Sequence, residues 1–154
     1  MIRLQREDFD PGIELARLGN DDGTIGGVCA FVGLVRSRSK AGPIEAMTLE
    51  HYPGMTEKAL ARIETEARAR WPLDDVVIIH RHGRLKVGER IVLVAAASAH
   101  REAAFDACRF LIDWLKTEAP FWKREEGPAG PHWVDARTED DEAARRWRDE
   151  DREE

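Results

Sequence analysis

The sequence is short of the residues that staple a chain or anchor it. Its 154 residues include two cysteines, Cys29 and Cys108, both in apolar surroundings and without C-x-x-C spacing. That excludes a disulfide framework or a cysteine zinc site and leaves two core thiols. No apolar run approaches the roughly 20 residues of a membrane-spanning helix, and Met1-Ile2-Arg3-Leu4-Gln5-Arg6 is not followed by the apolar segment of a secretory signal. A cytoplasmic protein is expected. Net positive charge is lacking too: the formal charge is −6, which removes the basic footprint of a nucleic-acid binder. The glycines Gly26, Gly27 and Gly33 allow close backbone approach, but no G-x-G-x-x-G opens a helix, so a dinucleotide site is excluded.

The acidity is concentrated. From Thr138 to Glu154 nine acids face four arginines, a net of −5, which leaves −1 for the rest of the chain. Residues 1–137 are therefore expected to form one domain. Residues 138–154 are expected to form an acidic helix and tail, the helix running around Glu142 to Arg148 and anchored by Trp147. With 42% hydrophobic residues the chain can bury a sizeable core.

The chain is organised around Ser98 to Glu125. Ser98 is a candidate helix cap, Ala104, Ala107, Cys108, Leu111, Trp114 and Leu115 recur at three-and-four spacing as a buried stripe, and Pro120 stops the helix. His100 and Arg101 fall in the first turn, where backbone N–H groups and the dipole favour an anion. Lys116 falls in the last turn. Beyond the Ala119-Pro120 corner an extended segment carries Lys123, and Pro120 prevents the two lysines from sharing one helix face. Such a pair is either placed for chemistry or solvated, as most lysines are.

Elsewhere the patterning gives a strand from Ile2 and a weak helix through Ile13 to Leu18. The turn Asn20–Gly23 leads into an apolar run, Ile25 to Val35, that reads as a buried strand. The loop Arg36 to Pro43 holds three cations and two hydroxyls, suited to a phosphate or simply a mobile hairpin tip. Ile44 to Tyr52 alternates as a strand, Thr56 is expected to cap a helix reaching Trp71, and two β-branched runs follow at Val76–His82 and Arg90–Ala97. His80 and His82 share a strand face and could begin a metal site. A third ligand is not evident, and an ordinary half-exposed strand is the competing reading. Gly127 to Pro131 turns the chain into His132–Arg137, a candidate hairpin that would bring Arg137 towards the two lysines. The order of elements defines an α+β domain with mostly antiparallel pairing.

Several of these stretches together carry a resemblance: Thr48-Leu49-Glu50-His51-Tyr52-Pro53-Gly54-Met55, Ile79-His80-Arg81 with Gly83, Ser98-Ala99-His100-Arg101, Leu115-Lys116-Thr117, Ala119-Pro120-Phe121-Trp122-Lys123-Arg124-Glu125, and Trp133-Val134. In this order, from about Gly27 to Arg137, the chain resembles the large, catalytic subunit of molybdopterin synthase. The loop 37–42 and the acidic tail match less closely.

The resemblance implies an α/β hammerhead-type fold with a C-terminal hairpin and a homodimer within a heterotetramer. It also implies a small ubiquitin-like sulfur-carrier subunit whose C-terminal Gly-Gly thiocarboxylate enters the site. There it would donate sulfur to cyclic pyranopterin monophosphate to build the molybdopterin dithiolene, with no metal or cofactor at this step. It places catalysis on Lys116 and Lys123, and substrate binding on Phe31, Arg36, His100, Arg101, Glu125 and Arg137. The residue types suit that chemistry, because a thiocarboxylate and a cyclic phosphate are both anions and their approach requires fixed cations. A lysine crowded by other cations is expected to lose its proton more readily, as proton transfer requires. Two other classes would use the same residues differently. A hydrolase acting through His100 and the Arg36 loop would turn over without a carrier, and a non-catalytic scaffold would bind the carrier tail without forming product.

Overall fold

The two β-branched runs form the centre of the molecule. In the computed structural model, which describes residues 1–19, 23–128, 130–134 and 138–149, β6 (Asp75–Arg81) and β8 (Arg90–Ser98) pair antiparallel, with Ile78 opposite Val94 and Ile79 opposite Leu93. β1 (Ile2–Gln5) joins β6 in parallel and β2 (Gly27–Leu34) joins β8 antiparallel, giving a sheet ordered β1-β6-β8-β2. Alternate side chains of a strand point to opposite faces, so this sheet has two cores. On one side Ile78, Val94 and Ala96 meet Leu60, Ile63 and Ala67 of α2 (Met55–Arg70) and Ala107, Phe110 and Leu111 of α3 (Arg101–Glu118). On the other, Val77, Ile79, Leu93 and Ala95 are covered by Phe9 and Leu18, which flank α1 (Pro11–Ala16).

A second sheet, ordered β10-β9-β5-β7, is built from β5 (Ala46–His51), β7 (Gly83–Lys86), β9 (Phe121–Glu126) and β10 (His132–Val134). Met47 and Leu49 of β5 and Leu85 of β7 form its core with Val35 and Ile44. Every pairing except β1 with β6 is antiparallel among the described residues. The α+β expectation holds, and β9 and β10 form the expected hairpin. Beyond it α4 (Thr138–Asp149) lies against α3, where Trp147 is buried and its indole N–H donates to Asp113 Oδ2 at 2.9 Å. The expected turn at Asn20–Gly23 lies largely outside the described residues, as do Asp135–Arg137 and the chain beyond Asp149.

Five local expectations are corrected. The β2 run is not buried: it is the edge of its sheet, and Val28, Phe31 and Leu34 are exposed. Conversely β6 is not half-exposed, because sheet neighbours flank it on both sides and both faces are covered. Ser98 does not cap α3. It ends β8, and its hydroxyl donates to the Pro72 carbonyl at 2.7 Å, while His100 occupies the cap position without a side-chain bond. Thr56 does not cap α2 either. Gly54 does, with its N–H donating to Glu57 Oε2 at 2.6 Å. Finally, the segment after β6, read as a loop, contains β7, which no periodicity announced. The loop after β2 does form a hairpin, a miniature one of β3 (Arg38–Ser39) and β4 (Gly42–Pro43).

The join between β2 and the start of α3 has no spare volume. The Gly26 N–H donates to Ser98 O at 2.9 Å, and a Cβ on Gly26 would lie 2.0 Å from the Ala99 carbonyl oxygen. Gly26→Ala is expected to cost about 1–3 kcal/mol through forced backbone displacement, read as a lowered denaturation midpoint. Gly23→Ala nearby meets no atom within 4 Å, although its φ of 72° carries its own strain.

Candidate functional site

The site is built at the corner between α3 and β9. Helix α3 ends at Glu118 ahead of Pro120, whose ring cannot continue it, and places Lys116 exposed in its last turn. The chain reverses at once into β9. There Phe121, Lys123 and Glu125 share one face of the strand, opposite His51, Leu49 and Met47 of β5 respectively. Lys123 is half-buried and also stands opposite Val134 of β10. Glu125 is only 2% exposed, with one carboxylate oxygen lacking a hydrogen-bond partner among the described residues. A buried carboxyl two positions from a lysine on the same face places an acceptor near it.

Two contacts fix this corner. The Thr56 hydroxyl accepts from Tyr52 N at 3.0 Å and donates to the Pro120 carbonyl at 2.9 Å. The His80 ring stacks on Phe121 with centroids 3.9 Å apart and planes 19° from parallel. His80 Nδ1 lies 2.8 Å from the Arg81 carbonyl oxygen. A carbonyl only accepts, so in the neutral ring Nδ1 carries the proton and Nε2 the lone pair. Burial pushes the His80 pKa down from 6.5 to about 4, opposed by the Arg81 carbonyl and reinforced by the positive ends of Lys116, His82 and His51.

That shift sets a pH dependence of stability. The unfolded chain takes up the His80 proton near pH 6.5 and the folded chain only near pH 4, so stability is complete above 6.5 and falls as the pH drops through that window. Between pH 7.5 and pH 5 the loss expected from His80 is about 2 kcal/mol. His82 adds in the same direction, its pKa lowered by burial and by His51 and Arg6. Urea titrations at the two pH values should show this loss, and His80→Phe should remove most of it.

His80 and His82 do not open a metal site. Strand β6 ends at Arg81, His82 packs its ring on His51 at 4.4 Å, and among the described residues no three His, Cys, Asp or Glu side chains are arranged to hold an ion.

The remaining expected site residues fall into two groups. Arg36 is exposed just beyond β2, in the loop that packs against the far end of β9: a Cβ on Gly127 would lie 2.3 Å from Pro43 O. Leu34, two residues before Arg36, pairs with Arg90 at the start of β8, so Arg36 and the pair His100–Arg101, which follows Ser98, lie at opposite ends of that strand. His100 and Arg101 are exposed at the opposite end of α3. Fifteen residues separate Arg101 from Lys116, which at helical rise is about 22 Å. Within one chain these two groups do not meet. Phe31, 40% exposed, lies midway along β2 opposite Val94. Arg137 lies outside the described residues. Thr56 was expected only as a cap and His80 only as a metal ligand or strand residue. Their roles at the corner depend on tertiary partners distant in sequence, and no local pattern reports those.

Fold and site together define an α+β protein of two four-stranded sheets and a small hairpin, with two lysines and a buried acid about the α3–β9 corner. Comparison with known proteins makes the class specific. The family model "MoaE protein" matches residues 4–118. The molybdopterin synthase catalytic subunit of Pseudomonas aeruginosa is 56% identical over 146 residues, covering 95% of this chain and 97% of that protein. Among solved structures, the molybdopterin biosynthesis MoaE protein from Burkholderia ambifaria MC40-6 superposes with a TM-score of 0.81 at 53% identity, covering 95% of this chain and 96% of that one. Molybdopterin synthase from Staphylococcus aureus superposes with a TM-score of 0.79 at 32% identity, covering 86% and 95%. The chain belongs to the MoaE protein family.

Proposed function

We propose that this chain is the catalytic subunit of a molybdopterin synthase, a sulfurtransferase of the cytoplasm. It would take sulfur from the thiocarboxylated C-terminus of a small ubiquitin-like carrier and deliver it to cyclic pyranopterin monophosphate. The observation that carries this reading is the α3–β9 corner in a chain of this family, where Lys116 ends the helix and Lys123 shares a face of β9 with the buried Glu125. A thiocarboxylate and a cyclic phosphate repel one another, and fixed cations at the corner offset that repulsion. Lys116 serves as the general acid and base, or as a transient covalent anchor, for addition of sulfur to the pterin side chain. Lys123 orients the thiocarboxylate, with Glu125 holding the ammonium in place.

The 22 Å separation of Arg101 from Lys116 bears on assembly. If His100 and Arg101 bind the same substrate as the lysines, a second copy of the chain has to supply them. The exposed β2 edge with Val28, Phe31 and Leu34 offers that copy an apolar strand to meet. This supports a homodimer that carries two carrier subunits as a heterotetramer, with Phe31, Arg36, His100, Arg101 and Arg137 around the substrate.

The test is to mix the protein with cyclic pyranopterin monophosphate and either the thiocarboxylate or the carboxylate form of a carrier. Dithiolene product is expected with the thiocarboxylate only. Turnover of the phosphate ester without any carrier would assign the chain to the hydrolases instead, and carrier binding without product would make it a scaffold.

A further inference from the structure

The corner that carries both lysines is a break between elements: α3 ends, Pro120 intervenes and β9 begins. Two side chains of other elements contact it from outside. Thr56, fully buried on the first turn of α2, ties the Tyr52 N–H to the Pro120 carbonyl through one hydroxyl. His80, 6% exposed on β6, lies flat on Phe121, the first residue of β9. Its ring is itself fixed by the bond from Nδ1 to the Arg81 carbonyl. Each contact is at a residue next to the reversal, on the path from Lys116 to Lys123.

We infer that Thr56 and His80 are positioning residues that set the α3–β9 corner and thereby the placement of Lys116 relative to Lys123. The ring on Phe121 is uncharged in this setting: burial keeps it neutral above about pH 4, and the positive ends of Lys116, His82 and His51 act in the same direction. Phenylalanine at position 80 would reproduce the stacking, and serine at position 56 would reproduce the hydroxyl. Loss of either contact lets the corner relax, and a misplacement of about 1 Å between reacting groups is enough to cost on the order of 10²-fold in rate.

This inference rests on the reading that the two lysines work together, and its test carries a readout independent of turnover. Thr56→Val, Thr56→Ser, His80→Ala and His80→Phe would each be treated with a short bis-acylating amine crosslinker, and the Lys116–Lys123 crosslink quantified by mass spectrometry. Turnover with a thiocarboxylated carrier would be measured in parallel. Thr56→Val and His80→Ala are expected to lose most of the crosslink and about tenfold or more in kcat with KM little changed, while Thr56→Ser and His80→Phe recover both. Wild-type crosslink yield in Thr56→Val and His80→Ala overturns the inference, as does equal impairment of His80→Phe and His80→Ala in folded protein. If His80→Ala does not fold, the Thr56→Val and Thr56→Ser pair decides alone. Failure of the wild-type protein to turn over while crosslink yields follow the expected order would sink the proposed function and leave the positioning role standing.

Discussion

Lys116→Ala should lower product formation by about 10³-fold, within the usual range for removal of a general acid–base group, while leaving the unfolding midpoint close to wild type. Stability should hold because the Lys116 side chain is exposed on the last turn of α3 and the helix keeps its buried face through Leu111 and Leu115. Single-turnover kinetics with a thiocarboxylated carrier is the measurement. A rate within threefold of wild type would remove Lys116 from the chemistry. The same variant tests the assembly. When co-expressed with Arg101→Ala chains, it should regain activity through mixed dimers, since one of the two sites then holds an intact Lys116 and an intact Arg101. Absence of any recovery would mean that Arg101 of one copy does not serve the Lys116 of the other.

Phe110→Ala is expected to cost about 3–5 kcal/mol, the range for truncating a buried aromatic side chain. Phe110 is fully buried, and its ring meets Trp71 at 5.3 Å, Trp114 at 4.7 Å and Trp147 at 5.6 Å, with the Arg70 guanidinium 4.8 Å from the ring centroid. These partners come from α3, α4 and the end of α2, so a cavity there loosens three elements together. Arg70 also donates to the Trp147 carbonyl at 3.0 Å, and Trp147 to Asp113, so the surrounding groups are held and cannot collapse inward. Equilibrium denaturation would give the loss directly. Phe110→Leu should lose less than half as much, and a loss below 1 kcal/mol for the alanine variant would show that the cluster repacks.

The sequence made some of this legible and concealed the rest for identifiable reasons. Helix α3 could be bounded because its stripe and Pro120 are local signals, and the lysine pair stood out because a proline lies between its members. Strand β2 was misjudged because an apolar run looks the same whether a neighbour covers it or not, and edge position is a property of the sheet. Ser98 has the chemistry of a cap, yet its hydroxyl is taken by Pro72, a partner reached only through the tertiary fold. Strand β7 is four residues of mixed polarity, and its pairing with β5 exists only once β6 and β8 have brought it there. The distance between Arg101 and Lys116, by contrast, follows from the residue count along one helix and needs no tertiary information. That length separates the two groups of residues within one chain, whatever the rest of the fold does.

The arrangement of the second sheet also governs how the chain reaches its folded state. Strand β5 is flanked by β7 and β9, both of which follow it in sequence, and its first residue, Ala46, pairs with Glu126. Likewise β1 waits for β6, with Ile2 against Ile78. On the ribosome, at about 5–20 residues per second, β5 emerges several seconds before β9 can pair with it, so one of its edges stays open even after Leu85 of β7 has joined Met47 and Leu49. Contacts this far apart in the chain make for slow folding. The interval between synthesis of β5 and arrival of β9 is when this protein is most exposed to pairing with the wrong strand.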